Sequence, residues 1–305
     1  MHVIALFGPT GVGKTAVAVA LAQLLRARGE RPVAVSADAL QVYAGLETLT
    51  GVASAAERAQ LEHRLVSFLP LSTSFSAGQY AELAHAEVDD ALTQRRRPIV
   101  VGGTGLYLRA ALTELDLRPP PAEGVRERLS AELERYGAPA LHARLTEQAA
   151  WAAVGIDPND RQRVVRALEL LQAGELEPPE GANQLWTDEM RRPTLLVGLV
   201  MEREMLYERI DARVDEMIDA GVREEVLRAH AGGVGVTARK ALGFEELLSD
   251  DVEAMKRRTR NYARRQLTWM RKLAGIRLID LTAHSAQAAA GEIAQALDEL
   301  ERRPE

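Results

Sequence analysis

Residues 3–15 read Val3-Ile4-Ala5-Leu6-Phe7-Gly8-Pro9-Thr10-Gly11-Val12-Gly13-Lys14-Thr15. The first five are an apolar run closed by Gly-Pro, which reads as a buried strand entering a turn. The next eight fit G-x-x-x-x-G-K-[ST], and a helical pattern follows from Lys14 to Arg28, stopped by Gly29. Strand, glycine loop and helix in this order form a phosphate cradle. The glycines let successive N–H groups converge on one anion, and the helix N-terminus adds its partial positive charge. Lys14 supplies a compact ammonium that a planar guanidinium cannot mimic in so tight a loop. Only four of the 38 basic residues are lysines, so a lysine here marks a chemical demand. Thr15 can place its hydroxyl on a Mg²⁺ that bridges phosphate oxygens. Gly8, Pro9, Thr10, Gly11, Val12, Gly13, Lys14 and Thr15 are therefore expected to bind a phosphate, with Thr15 as a metal ligand.

Working outward, Pro32–Ser36 and Pro98–Val101 are further buried-strand patterns, with a helical pattern over Ala77–Gln94 between them. Strands alternating with helices imply a parallel sheet covered on both faces. After Leu117 the chain turns stiff at Arg118-Pro119-Pro120-Pro121, and only helical patterns occur over Glu123–Ala173. Strand signals return at Thr194–Val200 and Ile276–Ile279, and an Ala-rich helical tail runs from Ala283. The expected fold is α/β: a P-loop NTPase-like parallel sheet with helices on both faces, built from 1–115 and 192–305, interrupted by an all-helical insertion over 116–191.

Composition narrows the classes. The 305 residues are 47% hydrophobic and 27% charged, ordinary for a globular chain. Zero cysteines exclude disulfides, thiolate metal sites and cysteine nucleophiles. No basic leader precedes the first strand, and Ala16–Leu25 is too short to span a bilayer. A cytoplasmic protein without a membrane segment is expected. The net charge is −6, yet Lys256 to Lys272 holds eight Lys or Arg and no acid. That stretch reads as a helix with Met255, Thr259, Tyr262, Trp269 and Leu273 at core spacing. Arg257, Arg260, Arg264 and Arg271 share another face, either a solvated surface or a contact for nucleic-acid phosphates.

In a parallel sheet, ligands gather beyond the carboxyl ends of the strands. Asp38 follows the second strand, where a carboxylate can be a general base, a Mg²⁺ ligand or a helix N-cap. The third strand ends in Gly102-Gly103-Thr104-Gly105, a packing turn or a second wall of the crevice. No Asp closes that strand, so the magnesium-positioning carboxylate of an ATPase is missing. In the helix around 206–217, Leu206, Ile210, Val214 and Met217 form the core stripe. Arg209 and Arg213 share a face, aimed either at surface carboxylates or at phosphate.

Together these stretches resemble one family. GPTGVGKT at 8–15, SADALQVY at 36–43, GGTGLYL at 102–108, DPND with RQRVVRALE at 157–169, LYERIDARVDEM at 206–217 and TRNYARRQLTW at 259–269 are similar, in order and spacing, to the tRNA dimethylallyltransferases. The resemblance implies transfer of a dimethylallyl group from dimethylallyl diphosphate to N6 of the adenosine 3′ of the anticodon, in tRNAs reading U-initial codons. It implies that the phosphate loop holds the prenyl donor's diphosphate rather than ATP, with Mg²⁺ as cofactor. It implies Asp38 as general base, and Thr10 and Arg213 as catalytic contacts to the leaving diphosphate. It also implies tRNA contacts at Asp38, Ala39, Leu40, Gln41, Thr104, Arg126, Gln162, Arg163, Val164, Val165, Arg166, Arg260 and Arg264. The insertion would then grip the anticodon stem-loop, and a monomer is expected. The chain departs from the family at Leu49-Thr50-Gly51-Val52-Ala53, where a Gly-Thr-Ala-Lys-Pro-like segment is usual, and at Phe244, where a Tyr is usual.

Three rivals share parts of this pattern. A small-molecule or nucleotide kinase would use the loop but leaves 157–169 and 259–269 unexplained. A prenyltransferase acting on free adenine nucleotides would not need the insertion. A non-catalytic RNA-binding module would not need Lys14, Thr15, Asp38 and Arg213 together.

Overall fold

The structure is a computed structural model that describes residues 1–302 except 116, 119–120, 123, 179–184, 186 and 188. The stiff Pro119-Pro120 punctuation and residues 303–305 thus lie outside the described residues. The chain divides into two compact units, Met1–Leu115 with Leu185–Glu305, and Asp116–Gln184.

The first unit is built on six parallel strands in the order β3-β2-β4-β1-β5-β6. They are β1 (Val3–Phe7), β2 (Pro32–Ser36), β3 (His63–Arg64), β4 (Arg97–Gly102), β5 (Thr194–Val200) and β6 (Arg277–Asp280). Ile4 pairs with Ile99 on one side and Leu195 on the other, so the phosphate loop leaves the middle of the sheet. Every residue of β1 and β2 is buried, which is why both read as unbroken apolar runs. Helices α1 (Lys14–Ala27) and α13 (Ala286–Glu301) pack together, in one core cluster with Ile4, Leu6, Val197 and Leu199. Helices α4 (Ala77–Thr93) and α5 (Gly105–Leu112) pack on each other and on β4.

At the start of β4, buried Arg97 donates to Glu30 at 2.6 Å, to Glu301 at 2.7 Å and to the His2 carbonyl at 2.8 Å. Burial works against ionisation of Glu301. The hydrogen bonds from Arg97 and from the His2 N–H outweigh it and hold the carboxyl at about 2.

Residues 185–191, assigned to the insertion on sequence grounds, belong with the sheet unit instead where they are described. Arg191 anchors them: its guanidinium pairs with Asp89 and Glu114, and its N–H donates to the Leu112 carbonyl.

The second unit contains helices α6 (Val125–Tyr136), α7 (Ala138–Ala153) and α8 (Arg161–Ala173). Leu129, Leu133, Leu141, Leu145, Val164 and Leu168 fill its core. The carboxylate of Glu169 is fully buried and accepts two hydrogen bonds from Arg126, at 2.7 and 2.8 Å, and one from Arg166 at 3.0 Å. One correction follows: Val164 and Val165, expected to touch tRNA, turn their side chains into the core, because α8 must bury an apolar face. Arg126 and Arg166 bond the buried Glu169 carboxylate, and Arg126 stays about half exposed. Gln162 and Arg163, in the first turn of α8, are exposed.

Candidate active site

The loop after β1 wraps as its glycines demand, with φ of +81° at Gly11 and +103° at Gly13. The Thr10 N–H donates to Gln266 Oε1 at 2.9 Å, and Gln266 Nε2 donates to the Gly103 carbonyl at 2.7 Å. One buried amide therefore clamps the phosphate loop to the second glycine turn. A Cβ on Gly103 would collide with that amide and lie 3.0 Å from the Gly8 carbonyl. The two sequence readings of this turn thus merge: it packs tightly and it also lines the crevice.

Lys14 folds back over the loop, donating to the Gly8 carbonyl at 2.9 Å and the Pro9 carbonyl at 3.0 Å. Burial, and after it the charge of Arg213, push its ammonium down to about 8 against the pull of Asp38. Asp38 follows β2 and accepts the Leu40 N–H at 2.9 Å. The next helix, α2 (Glu47–Thr50), begins nine residues on, so Asp38 is not a helix N-cap. Asp38 lines the crevice, and its second carboxylate oxygen has no hydrogen bond among the described residues.

Across from it, Tyr262 of α12 (Val252–Met270) shares a hydrogen bond with the Thr104 hydroxyl at 3.2 Å. The Arg265 guanidinium lies 5.4 Å from its ring centre. Burial, reinforced by Asp38, pushes the Tyr262 phenol up to about 12, so it stays a neutral hydrogen-bonding group.

Arg209 and Arg213 lie on α9 (Arg203–Asp219), and both face the crevice. Neither has an ion pair among the described residues. Burial lowers the pKa of Arg213, while Glu57, Glu216 and Asp38 raise it from a distance. The surface-ion-pair reading of these arginines therefore falls. One cavity of about 740 Å³ is lined by Lys14, Thr15, Asp38, Gly103, Arg209, Arg213, Tyr262 and Gln266, with Thr104 behind Tyr262.

The basic helix is less open than its sequence suggests. Lys256, Arg258 and Arg260 are paired with Asp215, Glu246 and Asp211, acids contributed by α9 and by α11 (Phe244–Leu248). Arg260, expected to touch tRNA, has both contacts to Asp211 at 2.5 Å. Arg264 is exposed and carries no ion pair among the described residues. Gln41, also expected at tRNA, is engaged internally: it accepts from Ser36 at 2.9 Å and donates to the Thr50 and Gly51 carbonyls at 3.2 and 3.0 Å.

Sequence reasoning missed Gln266, Tyr262 and Gly51. Gln266 carried one signal, a polar residue at the same helical spacing as buried Ala263 and Met270.

The family model for IPP transferase matches residues 41–273. The chain belongs to the IPP transferase family. Its relatives include a protein of Anaeromyxobacter dehalogenans named tRNA dimethylallyltransferase, 42% identical, with 90% of this chain and 94% of the relative covered. The crystal structure of a full-length tRNA isopentenylpyrophosphate transferase from Bacillus halodurans is similar at TM-score 0.70 and 31% identity, covering 99% of this chain and 98% of that one. A eukaryotic dimethylallyltransferase, solved acting on tRNA, is similar at TM-score 0.76 and 26% identity, covering 99% of this chain and 80% of that one. Arg213, Tyr262 and Gln266 fall inside the stretch matched by the IPP transferase model, whereas the phosphate loop and Asp38 precede it. No helix among the described residues is long and apolar enough to cross a membrane.

Proposed function

We propose that this IPP transferase family member moves the dimethylallyl group of dimethylallyl diphosphate to N6 of the adenosine 3′ of the anticodon, in tRNAs reading U-initial codons. The products are N6-dimethylallyladenosine and diphosphate. One observation carries the reading: Lys14, Asp38 and Arg213, which has no ion pair among the described residues, face a single cavity, two cations for a leaving diphosphate and one carboxylate for the acceptor.

The chemistry divides accordingly. The adenosine nitrogen forms a bond to the allylic carbon as that carbon's bond to the diphosphate oxygen breaks. Lys14, Arg213 and the loop N–H groups neutralise the charge arriving on the diphosphate. Asp38 takes the proton from N6, with its carboxylate oriented by the Leu40 N–H. Thr10 borders the same loop, and Thr104, tied to Tyr262, borders the acceptor side. Residues 39–40, Gln162, Arg163 and Arg264 are the exposed or crevice-facing groups that remain for tRNA. The acceptor base must leave the anticodon-loop stack to reach Asp38.

A divalent ion fits this donor set. Thr15 offers a hard oxygen ligand in the cavity, and no cluster of three His, Asp or Glu occurs among the described residues. That matches Mg²⁺, which takes most of its ligands from substrate phosphates and water. When bound, the ion would share the leaving group's charge with Lys14. The monomer is taken as the working unit because one chain supplies the whole crevice, and the cytoplasm as its location because the acceptor is tRNA.

The test is transfer of radiolabelled dimethylallyl from its diphosphate to unmodified tRNA, with ATP and free AMP as rivals. Magnesium-dependent label on the loop adenosine is expected. ATP turnover or labelled AMP, with unlabelled tRNA, would refute the acceptor and leave a phosphate site of another kind.

A further inference from the structure

Gly51 occupies an unusual place in the crevice. It closes α2 in the left-handed conformation, with φ of +62°. More restrictively, a Cβ there would fall inside the Arg213 guanidinium, with Cζ 2.9 Å away. The left-handed backbone alone would admit an Asn or Asp at modest strain. A side chain there would push the guanidinium, the far end of a flexible side chain, out of its present position. The turn holding Gly51 is in turn fixed by Gln41, whose amide donates to both the Thr50 and Gly51 carbonyls and accepts from Ser36 at the end of β2. This is also where the sequence departs from its family, with Gly51-Val52 in place of an Ala-Lys pair.

We propose that Gly51 is the seat of Arg213, and that Gln41 and Gly51 are positioning residues for it. Arg213 has no carboxylate partner to hold it among the described residues, so its direction is set by the wall it lies against. Removing the methyl at residue 51 lets the guanidinium occupy space that a side chain would fill. Val52 carries no charge, so Arg213 is the cation beside this turn of the crevice wall. The arrangement rests on the reading that Arg213 meets the diphosphate.

A double-mutant cycle tests it. Gly51→Ala should lower kcat for prenyl transfer on the order of 100-fold, the scale of a misplacement of about 1 Å, with the KM for tRNA changed less than about two-fold. In an Arg213→Ala background the same substitution should cost less than about two-fold. Gln41→Met removes the anchor without adding bulk. It should lower kcat roughly 10-fold, and that loss should also vanish in the Arg213→Ala background, so the cycle survives if Gly51→Ala fails to fold. Inorganic diphosphate affinity is read in parallel, since it does not depend on the acceptor. Diphosphate bound as tightly by Gly51→Ala as by the native protein, or losses that simply multiply with that of Arg213→Ala, would overturn the seat. Loss of diphosphate affinity without any prenyl transfer by the native protein would instead overturn the reaction and leave the seat standing.

Discussion

Two arginines at opposite ends of the strands of one sheet show what this fold does with buried charge. Arg97, at the start of β4, is closed off by Glu30, Glu301 and a carbonyl, all of them internal partners. Arg213, beyond the strands' carboxyl ends, is pressed against a glycine with no ion pair among the described residues. The first is a finished structural contact. The second bears a desolvation cost that Glu57, Glu216 and Asp38 offset only from a distance, and an incoming anion would offset it further, as expected where parallel strands end. The same contrast separates the arginines of the insertion, committed to Glu169, from the lysine of the phosphate loop, held on carbonyls with its pKa pushed down to about 8.

The contrast can be broken most sharply at Asp38. Asp38→Asn keeps the acceptor for the Leu40 N–H and removes the base, so kcat should fall by about 10²–10⁴ while diphosphate affinity is unchanged or improved. Single-turnover transfer and diphosphate titration separate the two effects. Next, Arg213→Ala should lower kcat by about 10²–10³, with the melting temperature unchanged or raised. Arg97→Ala should do the opposite: a loss of about 3 kcal/mol in stability, since it strands two carboxylates, with kcat per folded molecule intact. Denaturant titration alongside kinetics distinguishes the pair.

Smaller effects lie in pH. The protonated form of Lys14 binds the anion, and its pKa in the free protein is about 8, so diphosphate affinity should fall as pH rises through about 8. Binding measured between pH 7 and 9 checks this. Glu301 is held at about 2, below its ordinary 4.5, so its contribution to stability is present above about 4.5 and is lost as pH falls toward 2. The melting temperatures of native protein and Glu301→Gln should therefore differ at pH 7 and converge near pH 2.

Much of this was legible in the chain, for identifiable reasons. β1 is fully apolar and β2, β4 and β5 are apolar but for an end residue, because both faces are covered, and the glycine loop has a spacing few other structures require. The edge strand His63–Arg64 is too short to leave a pattern. Val164 and Val165 were misassigned because a matching stretch says which residues recur and not which way a helix turns them. Arg260 looked available because its partner, Asp211, lies 49 positions earlier in the chain. Gln266 and Gly51 escaped because their roles are spatial: one spans two loops, and the other makes room for a side chain on a distant helix.

The charge of Arg213, without an ion pair among the described residues, awaits a diphosphate. The most direct measurement is the melting temperature of native protein and Arg213→Ala, each with and without magnesium diphosphate. The account predicts that the variant is at least as stable as the native protein when empty and loses most of the shift produced by diphosphate. A variant that is less stable when empty and keeps the full shift would contradict it.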